Sequence, residues 1–79
     1  MAAEQELRKI MADLFSIKEN EITDETSFEN TEKWDSLKHV ELVLSIEEQF
    51  NISMDADDIV AMLSFAEIKR IMREKGVKI

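Results

Sequence analysis

The sequence predicts an all-α fold: a small bundle of three main helices plus one short helix, with a long loop between the first and second helices. Three observations carry this. Proline is absent and the only glycine is Gly76, so little in the chain breaks a helix. Leu, Ile, Glu, Lys and Ala are abundant. Apolar residues recur at helical spacing in separate stretches. With 79 residues, 44% hydrophobic and 35% charged, the chain is expected to form a single domain, 1–79, around one core. A chain of this length buries only roughly 60% of its unfolded surface, which leaves no room for a large internal active site.

The first helix is expected from about Ala3 to Phe15. Leu7, Ile10, Met11 and Leu14 form one apolar stripe, with Arg8, Lys9 and Asp13 opposite. Residues 16–34 then read as a long loop rich in turn and cap formers: Thr23, Asp24, Thr26, Ser27, Asn30 and Thr31. A loop of that length does not float free of a small domain, and Ile22 and Phe28 are its expected anchors. The second helix should begin at Asp35 or Ser36 and end near Phe50. The third is short, about Asp55 to Met62, with Ile59 facing inward. The fourth opens on a capping box, Ser64-Phe65-Ala66-Glu67, with Ser64 as N-cap and Glu67 reaching back. Phe65, Ile68, Ile71 and Met72 follow at helical spacing, and Gly76 after a basic last turn is a stop signal.

Charge narrows the function. Eighteen acidic and ten basic residues give a net charge of −8. Nucleic acid and anionic membrane surfaces are poor partners for such a surface. A partner with a basic patch is the natural one. The charge is uneven: Lys69, Arg70, Arg73, Lys75 and Lys78 crowd the C-terminal end against Glu74 alone. That cluster reads as compensation of the last helix dipole and a solvated tail. Cysteine is absent and His39 is the single histidine, which excludes disulfides, thiolate sites, a cysteine nucleophile and a histidine-rich metal site. Asp55, Asp57 and Asp58 fail the calcium-loop pattern at Ile59 and Val60, so no metal is assigned. No apolar run reaches membrane-spanning length and no secretory signal opens the chain, so a cytoplasmic monomer is expected.

The second helix has two apolar faces. At about 100° per residue, Leu42, Val43, Ile46 and Phe50 share one side, while Leu37, Val40 and Leu44 share the other with Glu41 and Glu48. Such a helix is buried all round or keeps one side for a partner. Full burial is incompatible with Glu41, Glu47 and Glu48, so Leu37, Glu41, Leu44 and Glu48 read as a docking face; the plainer reading is scattered surface leucines. Ser36 stands at the helix start, where free backbone N–H groups and the dipole favour a phosphate. A serine there also serves simply as a cap.

The segment from Trp34-Asp35-Ser36-Leu37 through Val40-Glu41-Leu42-Val43-Leu44-Ser45-Ile46-Glu47-Glu48-Gln49-Phe50-Asn51-Ile52 resembles the acyl carrier proteins. Their signature is an Asp-Ser-Leu triplet opening the second helix, followed by a matching run. Length, acidity, helix order and the long first loop agree with it. The resemblance implies a non-catalytic carrier with 4′-phosphopantetheine, taken from coenzyme A by a phosphopantetheinyl transferase, esterified to Ser36. It implies a thioester-bound acyl or aminoacyl cargo for fatty-acid or specialised lipid and natural-product biosynthesis. It also implies that Asp35, Leu37, Glu41, Leu44 and Glu48 meet acyl-loading and acyl-processing enzymes through basic docking patches. Val40, Val43 and Ile59 become candidates to line a space for the acyl chain.

The chain departs from the fatty-acid-synthesis type at Lys33-Trp34, Lys38 and His39. Lys38 interrupts the negative stripe, which leaves a specialised pathway open beside fatty-acid synthesis. Trp34 reads as an aromatic plug pinning the loop, and His39 as a half-buried packing residue. The competing class is an acidic helical adaptor that binds a basic partner and carries nothing. An enzyme is a distant third, because no nucleophile–base or acid–base pair is identifiable.

Overall fold

A computed structural model describes residues 2–79. Helix α1 spans Ala2–Phe15, α2 Ser36–Phe50, α3 Ala56–Ala61 and α4 Phe65–Glu74, with one 3₁₀ turn at Glu19–Glu21. Among the described residues there is no strand; a single antiparallel bridge joins Ser27 to Ser64. The predicted all-α class and all four helices are present.

One apolar stripe from each long helix builds the core. Leu7, Met11 and Phe15 of α1 meet Leu42, Val43 and Ile46 of α2 and Phe65, Ile68, Ile71 and Met72 of α4. The short α3 has no fully buried residue of its own and lays Ile59 and Ala61 against this cluster. Trp34 and Ile22 plug the core from the long loop, and Phe28 packs beside them.

Three helices end in the same way. Ser16, Asn51 and Gly76 take positive φ, and the next residue's amide closes back: Ile17 to the Ala12 carbonyl, Ile52 to Glu47, Val77 to Met72. Each closing residue is apolar and packs on the core, the accompaniment expected of this motif. Three starts are capped by side chains: Asp35 accepts from the Lys38 amide, Asp55 from the Asp58 amide and Ser64, the expected cap, from the Glu67 amide. One expectation is corrected. Glu67 does not reach back to Ser64 but pairs with Arg70 at 2.8 Å. The full reciprocal box forms at α3, where Asp58 also accepts from the Asp55 amide.

Loop 16–34 is held by contacts far apart in sequence. The Phe28 amide donates to Leu63 O and the Phe65 amide to Thr26 O, both at 2.9 Å. Lys69, buried on α4, lies over the Phe65 ring and pairs with Asp24 of the loop at 2.9 Å and Glu4 of α1 at 3.3 Å. That hydrogen bond and charge hold the Asp24 carboxyl below its ordinary value. The basic C-terminal cluster is not simply a solvated tail. Arg70 pairs with Glu67 and Glu74, Arg73 donates to the Ile79 carbonyl, and Lys75 pairs with Asp58 at 2.6 Å, tying α4 to α3.

Candidate functional site

The site is the start of α2, where the long loop delivers Trp34, Asp35 and Ser36. Trp34 fixes the delivery. Its indole stacks on Phe15 with centroids 4.9 Å apart, and Phe28 meets its edge at 6.2 Å. Its Nε1–H donates to His39 Nδ1 at 3.0 Å. Trp34 is therefore the plug that the sequence suggested. His39 is more than a packing residue, since both ring nitrogens are engaged.

With Trp34 inside, the chain turns outward and Asp35 and Ser36 are exposed. Asp35 caps the helix through its side chain, and its carbonyl accepts the first helical bond from the His39 amide at 2.8 Å. The cap is thus supplied by Asp35 and not by Ser36. The Ser36 hydroxyl has no hydrogen-bond partner among the described residues, and neither do the amides of Ser36 and Leu37. An exposed primary hydroxyl beside two free N–H groups, at the positive end of a 15-residue helix, suits a phosphodiester.

The outer side of α2 carries the remaining predicted residues. Leu37 is 67% exposed and Leu44 59%, with exposed Glu48 on the same side. Leu44 and Glu48 line a shallow groove of about 280 Å³ with Ile10, Ser45 and Gln49. Glu41 is half-buried and pairs with Lys38 at 3.4 Å, so its charge is partly compensated. Asp35, the cap, is exposed just before the helix.

The three candidates for an acyl space do not converge. Val43 is buried in the core and Ile59 is half-buried under α3, but Val40 is 53% exposed. On the helix wheel Val40 lies about 40° from Leu44 and about 60° from Val43. It joins the outer leucines, the side on which the helix wheel places it. Sequence reading missed Val60 and Leu63, two further exposed apolar residues on and after α3. The signal was present: Val60 follows the inward Ile59 and is turned about 100° away from it on the helix.

A family model described as a phosphopantetheine attachment site matches residues 5–72. An acyl carrier protein of Nitratidesulfovibrio vulgaris strain Miyazaki F is 31% identical over 75 residues, covering 95% of this chain and 99% of the relative. The chain belongs to the acyl carrier protein family. An acyl carrier protein of strain DP4 of the same species is 34% identical over 58 residues, covering 73% of this chain and 76% of that one. The fold agrees with the solution structure of holo acyl carrier protein from Geobacter metallireducens. The TM-score is 0.80 at 24% identity, covering 95% of this chain and 86% of that one. The carrier is non-catalytic, its prosthetic group is 4′-phosphopantetheine, and its partners are a phosphopantetheinyl transferase and acyl-processing enzymes. No helix among the described residues is long and apolar enough to cross a membrane.

Proposed function

We propose that the 79 residues act as one carrier domain, a cytoplasmic monomer, with 4′-phosphopantetheine esterified to Ser36 Oγ. The observation that carries this is the Ser36 hydroxyl: exposed, unpartnered among the described residues and released from capping by Asp35. The arm supplies a terminal thiol that holds acyl or aminoacyl intermediates as thioesters, so a chain without cysteine serves. Asp35 and the Trp34 plug position the serine, and the free amides of Ser36 and Leu37 face the phosphodiester's charge. The prosthetic group of the family favours this reading over an adaptor that carries nothing.

Partners dock on Asp35, Leu37, Glu41, Leu44 and Glu48, with Val40 among the apolar anchors and basic enzyme residues opposite the acids. The Lys38–Glu41 pair weakens the negative field next to Ser36. This favours the enzymes of a specialised lipid or natural-product pathway over those of general fatty-acid synthesis.

The test is loading by a promiscuous transferase with fluorescently tagged coenzyme A. Ser36→Ala abolishes labelling and keeps the helical circular dichroism spectrum; persistent labelling of Ser36→Ala rejects the site. Glu41→Lys and Glu48→Lys weaken the transferase complex and flatten its salt dependence. Unchanged affinity and salt dependence in both removes the docking face.

A further inference from the structure

Holding an arm on Ser36 does not by itself require a buried histidine, yet His39 is only 9% exposed, one turn into the helix that Ser36 opens. Its two ring nitrogens join two different parts of the molecule. Nδ1 meets Trp34 Nε1 at 3.0 Å, and Nε2 lies 2.8 Å from the carbonyl oxygen of Ile59 in α3. An indole N–H only donates and a carbonyl only accepts. Nδ1 must therefore be bare and Nε2 must carry the proton. Both bonds exist only with the neutral Nε2–H ring. A second proton on Nδ1 would face the indole N–H, and the Trp34 bond would be lost.

The rest of the ring's surroundings is aromatic or committed elsewhere. Trp34 stacks on it at 6.0 Å and Phe28 meets it edge-on at 6.2 Å. The charged groups of the neighbouring elements are directed elsewhere. On α2, Asp35 caps the Lys38 amide and Lys38 pairs with Glu41. Around α3, Asp55 caps the Asp58 amide, Asp58 pairs with Lys75, and Asp57 is exposed. On the loop, Glu29, Glu32 and Lys33 are exposed. Among the described residues no charged side chain hydrogen-bonds to the ring.

Helix α3 depends on such ties. Six residues are too few to be stable alone. The bond from His39 to Ile59 is the side-chain hydrogen bond that runs from α2 into α3 itself. Val60, next to Ile59, and Leu63 are exposed, as are Leu37, Val40 and Leu44 of α2.

We propose that His39 is a positioning residue: its neutral Nε2–H ring ties Trp34 to the Ile59 carbonyl, holds α3 and the Trp34 approach to Ser36 as one unit, and thereby supports loading of Ser36. This rests on the reading of Ser36 as the attachment site.

Two readouts test it on the full chain, only one of which depends on loading. The first is the Trp34 indole N–H resonance, with hydrogen-exchange protection of the Ile59 and Val60 amides, at neutral pH. In His39→Phe, which keeps a ring and loses both bonds, the indole signal shifts and α3 protection falls about tenfold, the scale of one lost hydrogen bond. His39→Gln retains an acceptor and a donor at similar spacing. It keeps the indole signal and α3 protection close to the parent. The second readout is transferase kcat/KM, which falls about tenfold in His39→Phe and returns toward the parent value in His39→Gln. Indole and α3 signals unchanged in His39→Phe overturn the proposal. So does an unchanged kcat/KM while α3 loosens. Absence of loading in all three chains, with a control carrier loaded, overturns the Ser36 reading; the indole and exchange data still judge the His39 link.

Discussion

Trp34→Phe measures the weight of the indole that seats the loop beside Ser36. Trp34 is 2% exposed, stacks on Phe15 at 4.9 Å and donates to His39 at 3.0 Å. Phenylalanine keeps a ring in the stack but removes the fused pyrrole and its N–H. Leaving the buried His39 Nδ1 unpaired costs about 1–3 kcal/mol. The lost ring atoms remove roughly 1 kcal/mol of burial and leave a small void. The sum is about 3 kcal/mol, against roughly 4–12 kcal/mol of total stability for a domain of this length. The corresponding fall in Tm is roughly 12–24 °C. Thermal and urea unfolding followed by far-ultraviolet circular dichroism at neutral pH reads this directly. Lys33→Ala, at an exposed neighbour, stays within about 0.5 kcal/mol of the parent. A Trp34→Phe chain within that same margin would refute the view that the indole and its bond hold the loop.

Leu37→Ala and Leu44→Ala leave thermal stability within about 0.5 kcal/mol, because both side chains are already exposed. Together they lower transferase kcat/KM at least about tenfold if they anchor the complex; an unchanged value contradicts the docking face. The Asp58–Lys75 pair makes the α3–α4 tie pH-dependent. The Lys75 hydrogen bond, with the Asp55 amide, holds the Asp58 carboxyl below its ordinary value, and the same bond to Asp58 raises Lys75. Asp58 thus adds stability above the ordinary carboxylate range that is lost as pH falls through its lowered value. Lys75 adds stability below the ordinary lysine range that is lost as pH rises through its raised value. The urea midpoint of the parent relative to Asp58→Asn should shrink at both extremes, and a difference that is flat with pH rejects the tie.

The helices were legible because their apolar residues repeat at 3.6-residue spacing and Ser64 opens the last of them with a capping pattern. Two helix ends were less visible, since Ser16 and Asn51 take the left-handed conformation usually signalled by glycine. Ser36 was legible as a serine at a helix start within the Asp-Ser-Leu triplet, and the outer leucines as a second stripe. What sequence could not give is long-range pairing. Lys69 with Asp24, Lys75 with Asp58, Phe28 with Leu63, and His39 with Ile59 join residues 12 or more positions apart, and no periodicity encodes them. Val40 lies on the outer face, where the helix wheel put it, and only the family resemblance drew it toward an acyl space. Glu67 was misassigned because a box pattern does not reveal that Arg70, one turn on, competes for the carboxylate.

The claim on which the account rests is that Ser36 bears the arm. Tandem mass spectrometry of the chain after incubation with coenzyme A and a promiscuous phosphopantetheinyl transferase tests it most directly. The account predicts one phosphopantetheine added per chain, on the peptide containing Trp34-Asp35-Ser36-Leu37 and on the serine within it. Addition at any other residue, or none on a folded chain while a control carrier in the same mixture is loaded, would contradict it.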